Sequence, residues 1–207
     1  MLAGIVVLSI GACAAAARLP NVKKHPGTAA VAIRDHVPGY QKFFTAQYTQ
    51  PRLEAAYERA WYFTASPSQP KHEEFVAALD EATRGFQTVD VFLLAHGNRY
   101  IDWVAELPPA QRARVRLVYD TGGGSAHNGP HWRELGVQAF VGHGGGNIAP
   151  LFYVYFLPQW LRDVPLMTAV DDANKQTKAW LDGPFGKLLG RFVDVPMLWA
   201  GTEAQVY

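Results

Sequence analysis

Apolar runs that stop abruptly at a polar residue beside glycine organise the middle of the chain. Residues 89–95 (Val-Asp-Val-Phe-Leu-Leu-Ala) end at His96-Gly97, and 115–119 (Val-Arg-Leu-Val-Tyr) end at Asp120-Thr121-Gly122. Near-continuous apolar runs of this length suit strands of a parallel sheet covered on both faces. Elsewhere the period is helical: Phe75, Val76, Leu79 and Ala82 recur within 71–86, with Gly85 near the expected end. The same reading predicts a first strand at 28–34 and a helix at 41–60 with Phe43, Phe44, Tyr48, Leu53, Ala56 and Tyr57 as core positions. Pro51 should kink or divide that helix. A strand at 61–64 and a turn at 66–70 follow, and further on a helix at 101–114 is broken by Pro108-Pro109. A short helix at 132–135 closes at Gly136, and the strand 137–141 runs to Gly142-His143. Asn147 is placed to cap an aromatic helix over 148–160, before a last helix at 171–181. The tail 183–207 carries turn signals and short apolar runs without an assigned element. Strands alternating with helices predict an α/β fold: a doubly wound, mostly parallel sheet with helices on both faces.

Length and composition leave room for one such domain, over 28–207. The 207 residues are 49% hydrophobic and 13% aromatic, ample for a sizeable core. A formal charge of +1 with scattered Lys and Arg gives no footprint for nucleic acid. Residues 1–17 have no charged side chain before Arg18 and read as the apolar region of an export signal, followed by a connector at 18–27. The single cysteine, Cys13, lies in Leu-Ser-Ile-Gly-Ala-Cys, which resembles the lipobox of bacterial lipoproteins. That resemblance implies lipid attachment at Cys13 and anchoring to a membrane of the cell envelope. The alternative is an ordinary cleaved signal, with 15–17 (Ala-Ala-Ala) as the small-residue site and a soluble periplasmic or secreted product. Neither outcome leaves a disulfide, because no second cysteine exists to pair.

Parallel strands deliver their carboxyl ends to one edge of a sheet, where ligands bind in open α/β folds. His96, Asp120 and His143 are therefore expected along one edge, with Thr121, Ser125, His127 and His131 on the intervening loop. Gly97 lets the chain turn directly after His96. The clusters containing Gly122, Gly123, Gly144 and Gly145 permit positive φ and offer unobstructed N–H groups to a carbonyl oxygen or anion.

The element order to Asp-Val-Phe-Leu-Leu-Ala-His96-Gly97, then Arg-Leu-Val-Tyr-Asp120-Thr121-Gly, then Leu-Gly-Val-Gln-Ala-Phe-Val-Gly142, resembles the caspase-like fold of clan CD cysteine peptidases, notably their CHAT-like members. It covers roughly residues 28 to 180 and implies a three-layer sandwich in which His96 matches the general base. The nucleophilic cysteine would fall in the Tyr119-Asp120 region, and neither residue has a thiol.

Four functions compete on these residues. The first is a domain that keeps the caspase-like shape without its cysteine and binds a peptide or envelope protein. The second is a hydrolase in which Thr121 or Ser125 attacks, His96 takes the proton and Asp120 orients the imidazole. The third is a metal site from His127, His131 and His143, joined by His96 or Asp120. The last is a structural envelope lipoprotein whose strand-end residues, like His25, His36 and His72, are solvated. The first and last readings require no cofactor.

Overall fold

The computed structural model describes residues 24–35, 39–95, 99–145, 149–190, 199–200 and 202–207. Six strands form one sheet: β1 (His25–Arg34), β2 (Tyr57–Thr64), β3 (Thr88–Leu94), β4 (Val115–Asp120), β5 (Phe140–His143) and β6 (Ala204–Val206). Their order is β2-β1-β3-β4-β5-β6. The first five are parallel and β6 runs antiparallel to β5. The expected α/β architecture is present, with helices on both faces. Between β1 and β3 the order reverses, and at such a switch point a crevice opens outside the carboxyl ends of the strands.

One face is covered by α1 (Gly39–Ala56), α6 (Ala149–Trp160) and α7 (Leu166–Asp182). Tyr48 and Leu53 of α1, Phe152, Phe156 and Leu157 of α6, and Ala169 and Ala173 of α7 pack there on Ala30, Ala32, Phe92, Leu94, Leu117, Tyr119 and Val141. The opposite face is covered by α2 (His72–Gly85), α3 (Tyr100–Ala105) and α5 (Gly129–Glu134), with the short α4 (Pro109–Arg112) beside them. Phe75, Leu79, Tyr100, Val104 and Trp132 pack there on Val31, Ile33, Val91, Leu93, Val118 and Phe140. Among the described residues no helix is long and apolar enough to cross a membrane.

Several boundaries differ from the sequence reading, each for a tertiary reason. The first strand begins at His25, inside the expected connector, because His25 already pairs with Tyr57. The helix expected to reach residue 60 ends at Ala56, and residues 57–60 are strand, since Tyr57 is drawn into the core by Asp90. Pro51 sits inside α1 without dividing it. The fifth strand is shifted to Phe140–His143, and α7 starts at Leu166, directly after Pro165, which is extended at ψ 138. The unassigned tail supplies α8 (Pro184–Leu189) and β6. The side chains of Phe43 and Phe44, and the whole of Asn147 and of segments 1–23, 36–38, 96–98 and 191–198, lie outside the described residues.

The lower part of the sheet holds an ion pair between a buried acid and a half-buried guanidinium. Asp90 is fully buried and accepts hydrogen bonds from Arg116 Nε (2.9 Å), Arg116 Nη2 (2.6 Å), the Tyr57 hydroxyl (2.5 Å) and Trp160 Nε1 (2.7 Å). One extra residue in β4, between Val115 and Leu117, turns Arg116 toward Asp90. Four donor hydrogens on one carboxylate satisfy the acid that sequence places inside an apolar run.

Candidate functional site

Asp120, the last residue of β4, is the strand-end acid nearest the switch point that the sequence singled out. Its side chain is 2% exposed, and Oδ1 accepts the Gly122 N–H at 2.7 Å. Burial pushes its pKa up to about 7, against the downward pull of the Gly122 hydrogen bond. Gly122 is required here for closeness rather than for its φ. A Cβ would stand 2.9 Å from Asp120 Oδ1 and 3.3 Å from the Ala95 carbonyl oxygen. Its amide is already taken by Asp120, so Gly122 does not serve as the open oxyanion donor expected of it. The positive φ in this cluster belongs instead to Gly124, at 79°, before the 3₁₀ turn Ser125–Asn128.

The two hydroxyls proposed as nucleophiles are engaged with the backbone. Thr121 Oγ1 donates to the Leu93 carbonyl at 3.2 Å, alongside its own N–H at 3.0 Å. Ser125 is buried; its Oγ donates to the Asp120 carbonyl (3.1 Å) and accepts the His143 N–H (3.0 Å). Both side chains thereby tie the Asp120–Ser125 loop to β3 and β5. Each hydroxyl proton points at a carbonyl, which has no capacity to act as the general base of a triad.

His143 is fully buried on the face opposite Asp120. Its Nδ1 lies 2.6 Å from the Thr202 carbonyl, which can only accept, so Nδ1 carries the proton and Nε2 accepts from the Tyr119 hydroxyl at 3.2 Å. Burial lowers its pKa to about 4, partly countered by the Thr202 carbonyl. Asp120 and His143 thus share the sheet edge but not a face. Both imidazole nitrogens are occupied, which removes His143 from the expected metal set. His127, whose Nδ1 contacts the Gly124 carbonyl, and His131 are exposed. Among the described residues no group of three or more His, Cys, Asp or Glu side chains is placed to hold a metal ion. Gly123, Gly144 and Gly145 remain at least partly exposed along the edge, with Gly144 close to the Ala200 carbonyl. His96 and Gly97 lie outside the described residues.

Sequence reading missed the end of β1, on the other side of the switch point. Asp35 is fully buried on the same face as Asp120, and its Oδ2 accepts from Arg99 Nη2 (2.6 Å) and the Tyr100 hydroxyl (3.1 Å). Burial and the Asp35 carboxylate both push the Tyr100 phenol up, with a smaller push from Asp120. Arg34, one residue earlier and on the other face, is 1% exposed. The signal was available: residues 29–33 are an apolar run that stops at Arg34-Asp35, the same pattern that marked His96 and Asp120.

The chain, compared with family models, with curated proteins and with solved structures, has no match. The site is therefore read from its own chemistry. Along the edge at β1, β3 and β4 that chemistry is a paired acid, an uncharged or half-titrated acid, a phenol and a buried guanidinium, with hydroxyls committed to loop structure. A separate cavity of ≈ 500 Å³ lies away from this edge, between α2 and the α3–α4 segment, lined by His72, Asp80, Arg84 and Glu106.

Proposed function

We propose that this chain is an exported, lipid-anchored domain of caspase-like descent that lacks the cysteine nucleophile and binds a peptide or envelope-protein ligand at the carboxyl edge of its sheet. The element order on which the resemblance rests, strand and helix alternating through β5, is the order of the folded chain. The observation that carries the non-catalytic reading is the state of the end of β4. A buried carboxyl at Asp120 stands in the region of the missing thiol, and the nearest hydroxyls, Thr121 and Ser125, both donate to backbone carbonyls. A protein of this kind keeps a crevice at the switch point and uses its strand ends for recognition.

The reading is tested on the full-length chain with a fluorophosphonate probe and with peptidase assays in the presence and absence of iodoacetamide. The expected result is no labelling at Thr121 or Ser125 and no iodoacetamide-sensitive cleavage. Labelling of either hydroxyl that disappears in His96→Ala would overturn the reading in favour of a hydrolase. Anchoring is tested separately by metabolic labelling with palmitate, which Cys13→Ser should abolish.

A further inference from the structure

The cleft of ≈ 500 Å³ between α2 and the α3–α4 segment is lined by none of the strand-end residues. The residues of α2 that face it, His72, Val76, Asp80 and Arg84, recur at every fourth position, beside the stripe of Phe75, Leu79 and Ala82 that packs on the sheet. Val76 and Leu107 give it an apolar lining, and Glu73, Asp80 and Glu106 bring three carboxylates to it. We propose that this cleft is a second binding site, for an arginine side chain of a partner peptide. The guanidinium pairs with the Glu73 and Glu106 carboxylates at the His72 end, and the methylene stem lies on Val76 and Leu107. This goes beyond the strand-end reading and does not rest on it.

Charge, geometry and the shape of the ligand agree. Among the lining residues three carboxylates meet one guanidinium, Arg84, so the excess is negative even with His72 protonated. The neighbouring cations are spent elsewhere. Arg112 donates to the Ala105, Leu107 and Leu135 carbonyls, Arg114 to those of Thr83, Arg84 and Phe86, and Lys71 pairs with Glu74. Asp80 Oδ1 already takes Arg84 Nη2 at 2.9 Å and Gln111 Nε2 at 3.0 Å, so one end of the cleft holds a guanidinium of the chain's own. At the other end Glu106 Oε1 is bonded to His72 Nε2 at 2.6 Å, and Glu106 Oε2 and the Glu73 carboxylate have no partner among the described residues. The His72 ring is also held against Trp103, centroids 4.8 Å apart, so this wall is set before a ligand arrives. A planar guanidinium both stacks on such a ring and matches carboxylates in its hydrogen-bond geometry, which an ammonium does not. A bare metal ion fits less well. Among the described residues no three His, Cys, Asp or Glu groups converge to hold one, whereas a charged tip on a methylene stem uses both the acids and the apolar lining.

The experiment uses the full-length protein with acetyl-Ala-Ala-Arg-Ala-Ala-amide and the same peptide carrying citrulline, the uncharged isostere of arginine, titrated calorimetrically at low salt. The Arg peptide should bind about fivefold more tightly, as expected when two exposed ion pairs form. That preference should shrink toward unity at about 0.5 M salt. The double change Glu73→Gln with Glu106→Gln should erase it; the amide at 106 can still bond to His72, so the wall stays in place. Ala77→Lys, which adds an ammonium on the exposed flank of α2 beside the cleft, should weaken Arg-peptide binding about fivefold in a protein of unchanged melting temperature. Equal binding of the two peptides, no measurable binding of either, or an Arg preference that survives in the double variant would overturn the proposal. Should the double variant fail to fold, Glu73→Gln alone and Ala77→Lys decide it, and an unchanged Arg preference in both overturns it. Calcium or spermidine binding more tightly than the Arg peptide would overturn it in favour of a free-cation site. Labelling or cleavage at the strand-end edge bears on the non-catalytic reading alone and leaves each of these outcomes as it stands.

Discussion

Asp120 and His143 terminate neighbouring parallel strands yet project from opposite faces of the sheet. Tyr119 pairs with Val141 in register, and its hydroxyl reaches His143 on the α6 side, while Asp120 turns to the α3 side toward Tyr100. Each is a buried titratable group without a counter-ion partner in the other, and their effects on stability oppose one another.

The pH dependence follows from the two directions. Asp120 is raised from 3.8 to about 7, so the folded state holds its proton longer than the unfolded chain, and ionisation costs stability as pH rises from about 4 to 7. His143 is lowered from 6.5 to about 4, so stability is lost as pH falls from about 6.5 to 4. The two slopes offset in the wild type. Asp120→Asn, which keeps an acceptor for the Gly122 N–H, should be more stable than wild type at pH 8 by on the order of 3 kcal/mol and should destabilise steeply toward acid. His143→Gln should show the opposite slope, losing stability toward neutral pH. Denaturant melts of the three proteins at several pH values give the check; parallel profiles would contradict the assignment.

The Asp90 network should dominate stability away from the site. Asp90→Ala leaves the Arg116 guanidinium, the Tyr57 hydroxyl and the Trp160 indole N–H without their shared acceptor, which is expected to cost about 3–5 kcal/mol. The double change Asp90→Leu with Arg116→Met should restore much of that loss, because two apolar side chains remove the stranded charge. Chemical denaturation measures both, and a double variant no better than the single one would refute the argument.

Ser125 is expected to act as a brace. Ser125→Ala leaves the His143 N–H and the Asp120 carbonyl, both in buried residues, without that partner, at a cost of about 1–3 kcal/mol. Thermal melts test this, and an unaltered melting temperature would free Ser125 for another role.

Much of the frame was legible in the chain. The runs at 89–95 and 115–119 became β3 and β4, and the period of Phe75, Val76 and Leu79 became α2, because side-chain periodicity is a local property. The junction at Tyr57 was misread, since its aromatic ring fits either a helix face or a strand, and only its hydrogen bond to Asp90 decides the matter. Thr121 and Ser125 looked like nucleophiles because residue type reports the presence of a hydroxyl and not the acceptor its proton meets.

The sequence by itself determined the alternation of strand and helix, the absence of a thiol in the domain and the positions at which polar residues end the strands. Only the tertiary structure decided which of those residues share a face, that β6 returns antiparallel, and that the Arg34 side chain is enclosed between the Tyr62 and Thr64 hydroxyls. The reason is geometric. Alternation fixes the two faces within one strand, but matching the faces of neighbouring strands depends on register, and one extra residue in β4 before Leu117 resets it.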